Sequence, residues 1–146
     1  MNKSILLKSI AAAGAMLFAA YAPVEAQQVP VRHSVRVENV DAGAGPVRVA
    51  MFDHATWLSR AVSAGESEAS ANIVELTLSA PRAGRYGFAV YQDVNRDGRL
   101  NRNIVGLPME PTAFSNGAVI RFGPPRFEAA AVSVSADSQT IVRLRS

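Results

Sequence analysis

The sequence predicts an all-β protein: a single antiparallel β-sandwich of about seven strands, with a long loop after its central strand and a cleaved signal peptide before it. Three observations predict this class. Short segments alternate between apolar and polar residues, which is the pattern of half-buried strands. Clusters of Gly, Pro, Asn, Asp and Ser separate these segments at short intervals. Hardly any segment has the periodicity of an amphipathic helix, so a sandwich is favoured.

The amino-terminal segment is typical of a secretory signal peptide. Lys3 and Lys8 provide a positive start, and Ile10–Ala22 is apolar and uncharged. This stretch is shorter than the roughly twenty residues that span a bilayer. The small residues around Ala26 favour cleavage before Gln27, so we expect a periplasmic or extracellular protein with no membrane span after cleavage.

Composition limits the remaining possibilities. Removing residues 1–26 from the 146 leaves one β-sandwich domain, residues 27–146. The chain has no Cys, so no disulfide can stabilise the domain. The formal net charge of +3 is close to neutral and the arginines are spread along the chain, which argues against nucleic acid as a partner. An envelope protein or a polysaccharide is the partner we expect.

The first two strands are predicted from alternation. Val31–Val37 places valines on one face and polar residues on the other, and Val47–Phe52 repeats the pattern after the turn residues Asp41–Pro46. His33 falls on the apolar side of its strand, which predicts a core or rim histidine.

The next segment is predicted to contain no strand. Asp53 can cap a short helical turn over Ala55–Arg60, in which Trp57 and Leu58 would contact the sheet. Val62–Ala71 consists of small and polar residues without clear periodicity and is predicted to be a loop.

Two further strands form the predicted centre of the domain. Ile73–Leu78 alternates with Val74 and Leu76 facing inward, and Pro81–Gly84 is a tight turn. Tyr86–Tyr91 follows as the central strand, with its inward residues predicted to be Tyr86, Phe88 and Val90.

Three more strands are predicted after the long loop. Val119–Phe122 is a short strand that ends at Gly123–Pro125, because proline cannot donate to a ladder. Phe127–Val134 and Thr140–Leu144 are predicted to pair as a hairpin.

The loop between the central strand and Asn116 is the most distinctive stretch. It is far longer than an ordinary connection and dense in Asx, Gly and Pro. Asp93-x-Asn95-x-Asp97-Gly98 has the oxygen spacing of a calcium loop. The predicted ligands are the side chains of Asp93, Asn95, Asp97, Asn101 and Glu110 and the backbone carbonyl of Arg99. The twelfth position is Ile104 instead of Glu, so the loop is not an EF-hand.

A second interpretation of the same residues stays open. Asx side chains also bond their own backbone, which explains the composition without a cation. Arg96, Arg99 and Arg102 stand among Asp93 and Asp97 and would neutralise them.

The sequence predicts that the protein is not an enzyme. It has no Cys and no G-x-S-x-G motif, and no glycine-rich loop opens a helix. Asp93 with Glu110 is the one pair of carboxylates that could run a small hydrolase or lyase.

Isolated histidines and aromatic residues suggest little more. His33 and His54 have no second His or Cys at ligand spacing, so no transition-metal site is expected, and His54 is predicted to lie at the surface. Trp57 and Tyr91 would suit a carbohydrate-binding module if both rings were exposed on one face.

Residues from the central loop onward carry a family resemblance. The apolar strand, the Asx-rich loop, a Gly-x-Pro-x-Glu element, a Phe-Ser-Asn element and a Gly-Pro-Pro-x-Phe element follow one another. The positions are Asp93, Asn95, Asp97, Gly98, Leu100, Asn101, Asn103, Gly106, Pro108, Glu110, Phe114, Ser115, Asn116, Gly123, Pro124, Pro125 and Phe127. This arrangement resembles the bacterial exported proteins grouped as domain of unknown function family 2141.

The chain departs from the family pattern at three positions. Gln92 stands where a His is common, Asn101 replaces an acidic residue and Ala113 replaces a Gly. The resemblance implies a transthyretin-like or prealbumin-like sandwich in an exported protein, and it implies no reaction.

Overall fold

The protein folds as two β-sheets packed face to face, which confirms the predicted all-β sandwich. A computed structural model describes residues 27–146. The predicted signal peptide, residues 1–26, lies outside the described residues. Within residues 27–146 no helix has the length and hydropathy that a membrane crossing requires.

Eight strands form the two sheets. In chain order they are β1 (Val31–Glu38), β2 (Val47–Phe52), β3 (Ser63–Ser67), β4 (Ile73–Ala80), β5 (Gly84–Gln92), β6 (Thr112–Phe114), β7 (Val132–Val134) and β8 (Gln139–Arg143). One sheet has the order β4-β1-β8, and the other has the order β3-β2-β5-β6 with β7 also paired to β5. A 3₁₀ turn at Ser115–Gly117 and a one-turn helix, α1 (Phe127–Ala130), follow β6.

Alternating aliphatic side chains build the core between the sheets. The inward positions predicted for β1, β2, β4 and β5 are buried, apart from half-buried Val31 at the start of β1, because period-two alternation places every second side chain on one face. The core includes Val35, Val37, Val49, Met51, Val74, Leu76, Leu78, Tyr86, Phe88 and Val90. The predicted central strand, β5, indeed lies inside its sheet and carries the long loop at its carboxyl end.

His33 belongs to this core, as its place on β1 predicted. Its ring stacks on Phe88 with centroids 5.6 Å apart. Its Nε2 bonds the Thr140 hydroxyl at 2.8 Å, and its Nδ1 bonds the Ser138 hydroxyl at 3.0 Å. Both ring nitrogens are therefore satisfied without a metal ion.

The prediction of a loop over Val62–Ala71 is wrong, because this segment contains a strand, β3 (Ser63–Ser67), which pairs antiparallel with β2. This edge strand alternates between half-buried Ser or Gly and exposed Ala64 or Glu66, so its hydropathy pattern is weak. Gly65 leaves room for the Leu78 side chain, which lies 3.2 Å from where a Cβ at position 65 would be.

The predicted carboxyl-terminal strands need three corrections. Val119–Phe122 is not a strand and pairs with neither sheet. Phe127–Val134 begins as the helical turn α1, and only Val132–Val134 is extended. The predicted hairpin with Thr140–Leu144 is also wrong, because β7 pairs with β5 in one sheet while β8 pairs in parallel with β1 in the other.

The segment after β2 is a capped turn that carries Trp57 onto the outer face of the β5 sheet. Asp53 Oδ1 accepts the Thr56 amide and the Thr56 hydroxyl, each at 2.8 Å, which confirms the predicted cap. Trp57 packs against Gly87, where a Cβ would collide with the indole ring. Leu58, predicted to contact the sheet as well, has a positive φ of 56° and is 38% exposed.

Candidate functional site

The long loop is tied to the β1–β2 turn at the point where it leaves β5. Gln92 is buried, and its side chain accepts the Asp41 amide at 2.9 Å and donates to the carbonyls of Asp41 and Gly45 at 2.7 and 3.1 Å. The amide of Asp93 donates to the Pro46 carbonyl at 2.9 Å. The start of the loop is thus fixed to a second element.

Asp93 is the buried anchor of the loop. Its Oδ1 accepts the Asp97 amide at 3.1 Å, and its Oδ2 accepts the Gly98 amide at 2.8 Å. The same Oδ2 accepts Arg48 Nε at 3.1 Å, and Arg48 also pairs with Glu66 at 2.7 Å. The carboxylate is fully buried, so its charge is balanced by β2 and by the loop's own amides.

Three Asx side chains, two of them exposed and Asn101 half-buried, form a second layer. Asp97 Oδ2 accepts the side-chain amides of Asn95 at 3.1 Å and of Asn101 at 2.9 Å. Its Oδ1 accepts the Arg99 backbone amide at 2.8 Å. The hydrogen bond from Asn101, followed by the bond from the Arg99 backbone, holds the pKa of Asp97 below its ordinary value. Asp97 therefore organises the turn as an anion.

Glu110 closes the loop from its far end. Its Oε1 accepts the backbone amide of Val94 at 3.0 Å, and its Oε2 accepts the backbone amide of Asn101 at 3.1 Å. The residue is nearly buried. The Glu110 carboxylate thus joins the two ends of the Asx-rich segment, Val94 and Asn101, which precede it by sixteen and nine residues in sequence.

The segment between Asn101 and Met109 is a tight hairpin, here called the loop hairpin. The Met109 amide donates to the Asn101 carbonyl at 2.8 Å, and the Asn103 amide donates to the Leu107 carbonyl at 2.9 Å. Gly106, at a φ of 82°, donates to the Asn103 carbonyl and completes the turn. The side chain of Asn103 also accepts two amides of the turn, so the tip has a defined shape.

The corners of this turn carry apolar residues, although turn corners usually carry Gly, Asn, Asp, Ser or Pro. Ile104 is fully exposed and Val105 is 73% exposed. Val105, Leu107 and Phe122, which is also fully exposed, line a concavity of about 240 Å³. Arg102 and Arg121 line the same concavity. Ile104, Val105, Leu107 and Phe122 with these two arginines are here called the tip surface.

A larger groove of about 380 Å³ adjoins the tip surface. It opens between β6 and β8, whose chains meet through the pair Thr112 and Arg145 and then diverge. Leu107 and Ile120 line both depressions, so the groove continues the tip surface along the side of the sandwich.

The structure brings most of the predicted calcium ligands together, but as a hydrogen-bond network. Asp93 and Glu110 hold backbone amides, whereas Asn95, Asp97 and Asn101 hold one another. Of Arg99, the backbone amide is the group that contacts this network. In residues 27–146 no three His, Cys, Asp or Glu side chains gather as a metal-binding group would.

The arginine that balances Asp93 comes from β2 and not from the loop. Arg96 makes a two-point salt bridge with Glu68, at 3.0 Å for each contact. Arg102 donates to the Gly106 carbonyl of the loop hairpin at 3.0 Å. Arg96 therefore fixes the loop to Glu68, the residue after β3, and Arg102 stabilises the loop hairpin from within. Arg48 pairs with the buried carboxylate.

The aromatic residues considered for sugar binding have different surroundings. Trp57 packs edge-on against Phe52 and Phe127, with centroids 5.5 and 5.8 Å apart, and its indole donates to the Pro125 carbonyl. Tyr91 is half-buried at the end of β5. His54 lies at the surface, as predicted, and contacts Glu128 at 3.1 Å.

Comparison with known families identifies the chain. The model of the family DUF2141, described as an uncharacterized protein conserved in bacteria, matches residues 35–142. The chain belongs to the DUF2141 family. Searches of curated proteins and of solved structures found no match.

The DUF2141 motif residues now have structural roles. Ser115 is buried, donates to the Ala130 carbonyl at 2.5 Å and accepts the Phe88 amide, and Asn116 donates to the Ala129 carbonyl. These contacts attach α1 to β5. Gly106 and Glu110 shape and close the loop hairpin. In this DUF2141 chain the motif thus builds the frame, and the exposed apolar residues stand between its members.

Sequence reasoning missed the residues that give the loop its character. Arg48 was not singled out from the sequence, and Gln92 was noted only as a departure from the family pattern. The tip surface had a signal in the sequence, because Asn103-x-x-Gly106 encloses Ile104 and Val105 with turn residues. Apolar residues at the corners of such a turn depart from ordinary turn composition, which favours Gly, Pro, Asn, Asp and Ser.

Proposed function

We propose that this DUF2141 protein is an exported binding module without catalytic activity, and that the tip surface is where it contacts its partner. The observation that carries the proposal is the full exposure of Phe122, which lines the concavity with Val105, together with the full exposure of Ile104, the residue next to Val105 in the turn. Scattered exposed apolar residues are ordinary, but a group of them on a defined turn marks an interaction site.

The rigidity of the loop supports the proposal. Ordering a flexible loop on binding costs roughly 1 to 2 kcal/mol per residue in backbone entropy. Here Asp93 and Glu110 hold the Asx-rich segment, and Asn103 holds the loop hairpin, through backbone amides before any partner arrives. Binding through a pre-formed tip avoids much of that cost.

Export is supported by the composition of residues 1–26 alone. Two lysines, the uncharged stretch Ile10–Ala22 and the small residues at the expected cleavage site fit a signal peptide. Amino-terminal sequencing of the protein recovered from a periplasmic or extracellular fraction tests this part. We expect Gln27 as the first residue, and an intact Met1 would contradict the proposal.

The alternative functions have less support. In a hydrolase or lyase, Asp93 and Glu110 would need free carboxylate oxygens for substrate, yet every one of these oxygens already accepts a backbone amide. In a carbohydrate-binding module, Trp57 would need an open face, yet its ring packs among Phe52, Phe114 and Phe127.

We further propose that the loop folds without calcium. A cation between Asp93 and Glu110 would have to displace backbone amides and compete with the Arg48 guanidinium, 3.1 Å from Asp93. The residues therefore do not fit the ion well, even though their spacing resembles a calcium loop.

Site-specific photo-crosslinking tests the binding proposal. A photoreactive amino acid is placed at position 104 or 122 of the full chain, and cells are irradiated during growth. The matched control position is Ile73, an aliphatic residue of β4 that is 42% exposed on the other sheet. We expect adducts from positions 104 and 122 that are absent or several-fold weaker from position 73.

Equal labelling at all three positions would contradict the proposal, because the tip surface would then be no more engaged than an ordinary exposed residue. A second readout uses Ile104→Ser with Val105→Ser in the chain that carries the probe at position 122. Removing half of the tip should weaken the adduct from the other half if both contact the same partner.

A further inference from the structure

We propose that the partner of the tip surface is an anionic phospholipid bilayer, which the protein binds peripherally. This inference rests on the proposed function, since it names the chemistry of the partner for the same surface. Ile104, Val105 and Phe122 would enter the boundary between headgroups and acyl chains, and Arg102 and Arg121 would contact lipid phosphates.

The shape of the tip surface favours a bilayer over a protein. Protein interfaces have a packed apolar core surrounded by a polar rim. Here the most exposed residues, Ile104 and Phe122, are both fully exposed; Phe122 lines the concavity, and Ile104 adjoins Val105, which also lines it. Protruding apolar side chains with basic residues behind them are typical of elements that insert shallowly into a membrane interface.

The charges around the concavity favour an anionic surface. Among the salt bridges of residues 27–146, none involves Arg102 or Arg121. A guanidinium binds phosphate oxygens through two parallel hydrogen bonds. Arg102 already donates from one nitrogen to the Gly106 carbonyl at 3.0 Å, and its remaining donors and those of Arg121 suit lipid headgroups. The concavity of about 240 Å³ between them offers space for such a group.

No exposed carboxylate opposes this contact over a long stretch of sequence. Between Gly98 and Pro125 the only acidic residue is Glu110, which is nearly buried and holds the amides of Val94 and Asn101. The same stretch contains Arg99, Arg102 and Arg121. Along this stretch of sequence an anionic bilayer would therefore meet positive charge and apolar side chains and no exposed carboxylate.

Vesicle sedimentation tests the inference with the processed protein recovered after export. The probes are vesicles of phosphatidylethanolamine with phosphatidylglycerol and vesicles of phosphatidylcholine alone. We expect binding to the first and little to the second, weakened by salt because the arginine contribution is electrostatic. Phe122→Ser should weaken binding about tenfold or more, the loss expected for one buried aromatic side chain.

Charge variants test the role of the arginines. Arg102→Gln and Arg121→Gln should each weaken binding about fivefold, the effect of one basic residue at an anionic surface. The matched controls are Ile73→Ser and Arg32→Gln, which change exposed residues of the same types on the other sheet. They should bind as the unchanged protein does, and urea unfolding of each variant shows whether it is folded.

The outcomes separate this inference from the proposed function. If vesicle binding is absent, or if Phe122→Ser and the controls bind alike, a bilayer is not the partner. If photo-crosslinks from positions 104 and 122 are then found on a protein, the binding function stands with a protein partner. If the tip positions give no preferential adduct either, both proposals fail.

Discussion

A single buried side chain, Gln92, joins the central strand to the first turn of the sandwich. Its three hydrogen bonds reach Asp41 and Gly45, and it lies where the family pattern commonly has a His. Replacing it with Ala leaves these backbone groups without a partner, which costs roughly 1 to 3 kcal/mol for buried groups. We expect Gln92→Ala to lower the free energy of unfolding by about 2 kcal/mol.

Urea unfolding measures this change as a shift in midpoint at constant slope. The control is Gln139→Ala, because Gln139 is an exposed glutamine of β8. Its substitution should have little effect. Equal destabilisation by the two substitutions would show that the buried hydrogen bonds of Gln92 contribute no more to the free energy of unfolding than an exposed glutamine does.

Another single residue, His33, should make stability depend on pH. Burial lowers the pKa of His33 from its ordinary value of 6.5, so the folded protein favours the neutral ring. The unfolded chain then binds a proton more readily than the folded protein. The contribution of His33 to stability is therefore complete above pH 6.5 and is lost as the pH falls from 6.5 toward the lowered pKa. We expect about 1 kcal/mol of loss between pH 7.5 and 5.5.

Chemical unfolding at several pH values, with His33→Gln and His54→Gln for comparison, measures the effect. This pH range lies above the ordinary pKa values of 3.8 and 4.5 for carboxyl groups, so His33 dominates the slope. His33→Gln should flatten the dependence, whereas His54→Gln should retain it. A slope that persists without His33 would refute this account.

At the scale of elements, the β1–β2 turn and the long loop pack backbone against backbone. Gly45 has a φ of 116°, and a Cβ there would collide with the Asp93 carbonyl. Gly43, in the same turn, has a φ of 83° and open space around its Cβ position. We expect Gly43→Ala to cost about 1 kcal/mol from backbone strain alone, and Gly45→Ala to cost clearly more.

The pair separates strain from steric contact within one turn. Thermal or urea unfolding provides the two free energies, and near-ultraviolet circular dichroism shows whether packing around the aromatic residues is retained. If the two substitutions are equally costly, the close approach of the turn to Asp93 is not a constraint on the fold.

The same scale shows which elements were predictable. β1, β2, β4 and β5 were found because aliphatic side chains alternate along them, and that pattern is local. β3 was missed because its alternating residues are Ser, Ala and Gly, which carry little hydropathy. The partners of β7 and β8 were missed because pairing across two sheets is decided by distant residues.

The candidate site was predicted only in outline. The Asx spacing located the loop and its acidic residues, since turn chemistry is local. The role of Arg48 was not visible, because it depends on β2 lying beside β5 in the folded sheet. The exposure of Phe122 was not predicted either, because the apolar segment Val119–Phe122 between two turns also fits a short strand.

For the whole molecule, the effect of calcium on stability decides between the two interpretations of the loop. A ligand that binds only the native state stabilises it by about 2.7 kcal/mol at a hundredfold excess over its dissociation constant. For a domain of this size 1 kcal/mol raises the melting temperature by roughly 4 °C. We expect no rise, because the oxygens of Asp93 and Glu110 already hold backbone amides and Arg48 neutralises Asp93.

Melting of the processed protein, first with a chelator and then with millimolar calcium, tests this expectation, with magnesium as the control cation. Asp97→Ala removes the exposed carboxylate of the loop, and Asn101→Asp restores the acidic residue of the family pattern. A flat response in all three proteins supports a loop held by hydrogen bonds. A calcium-dependent rise that Asp97→Ala abolishes and Asn101→Asp enlarges would show instead that the ion displaces those amides, and that the spacing of the Asx residues serves a cation.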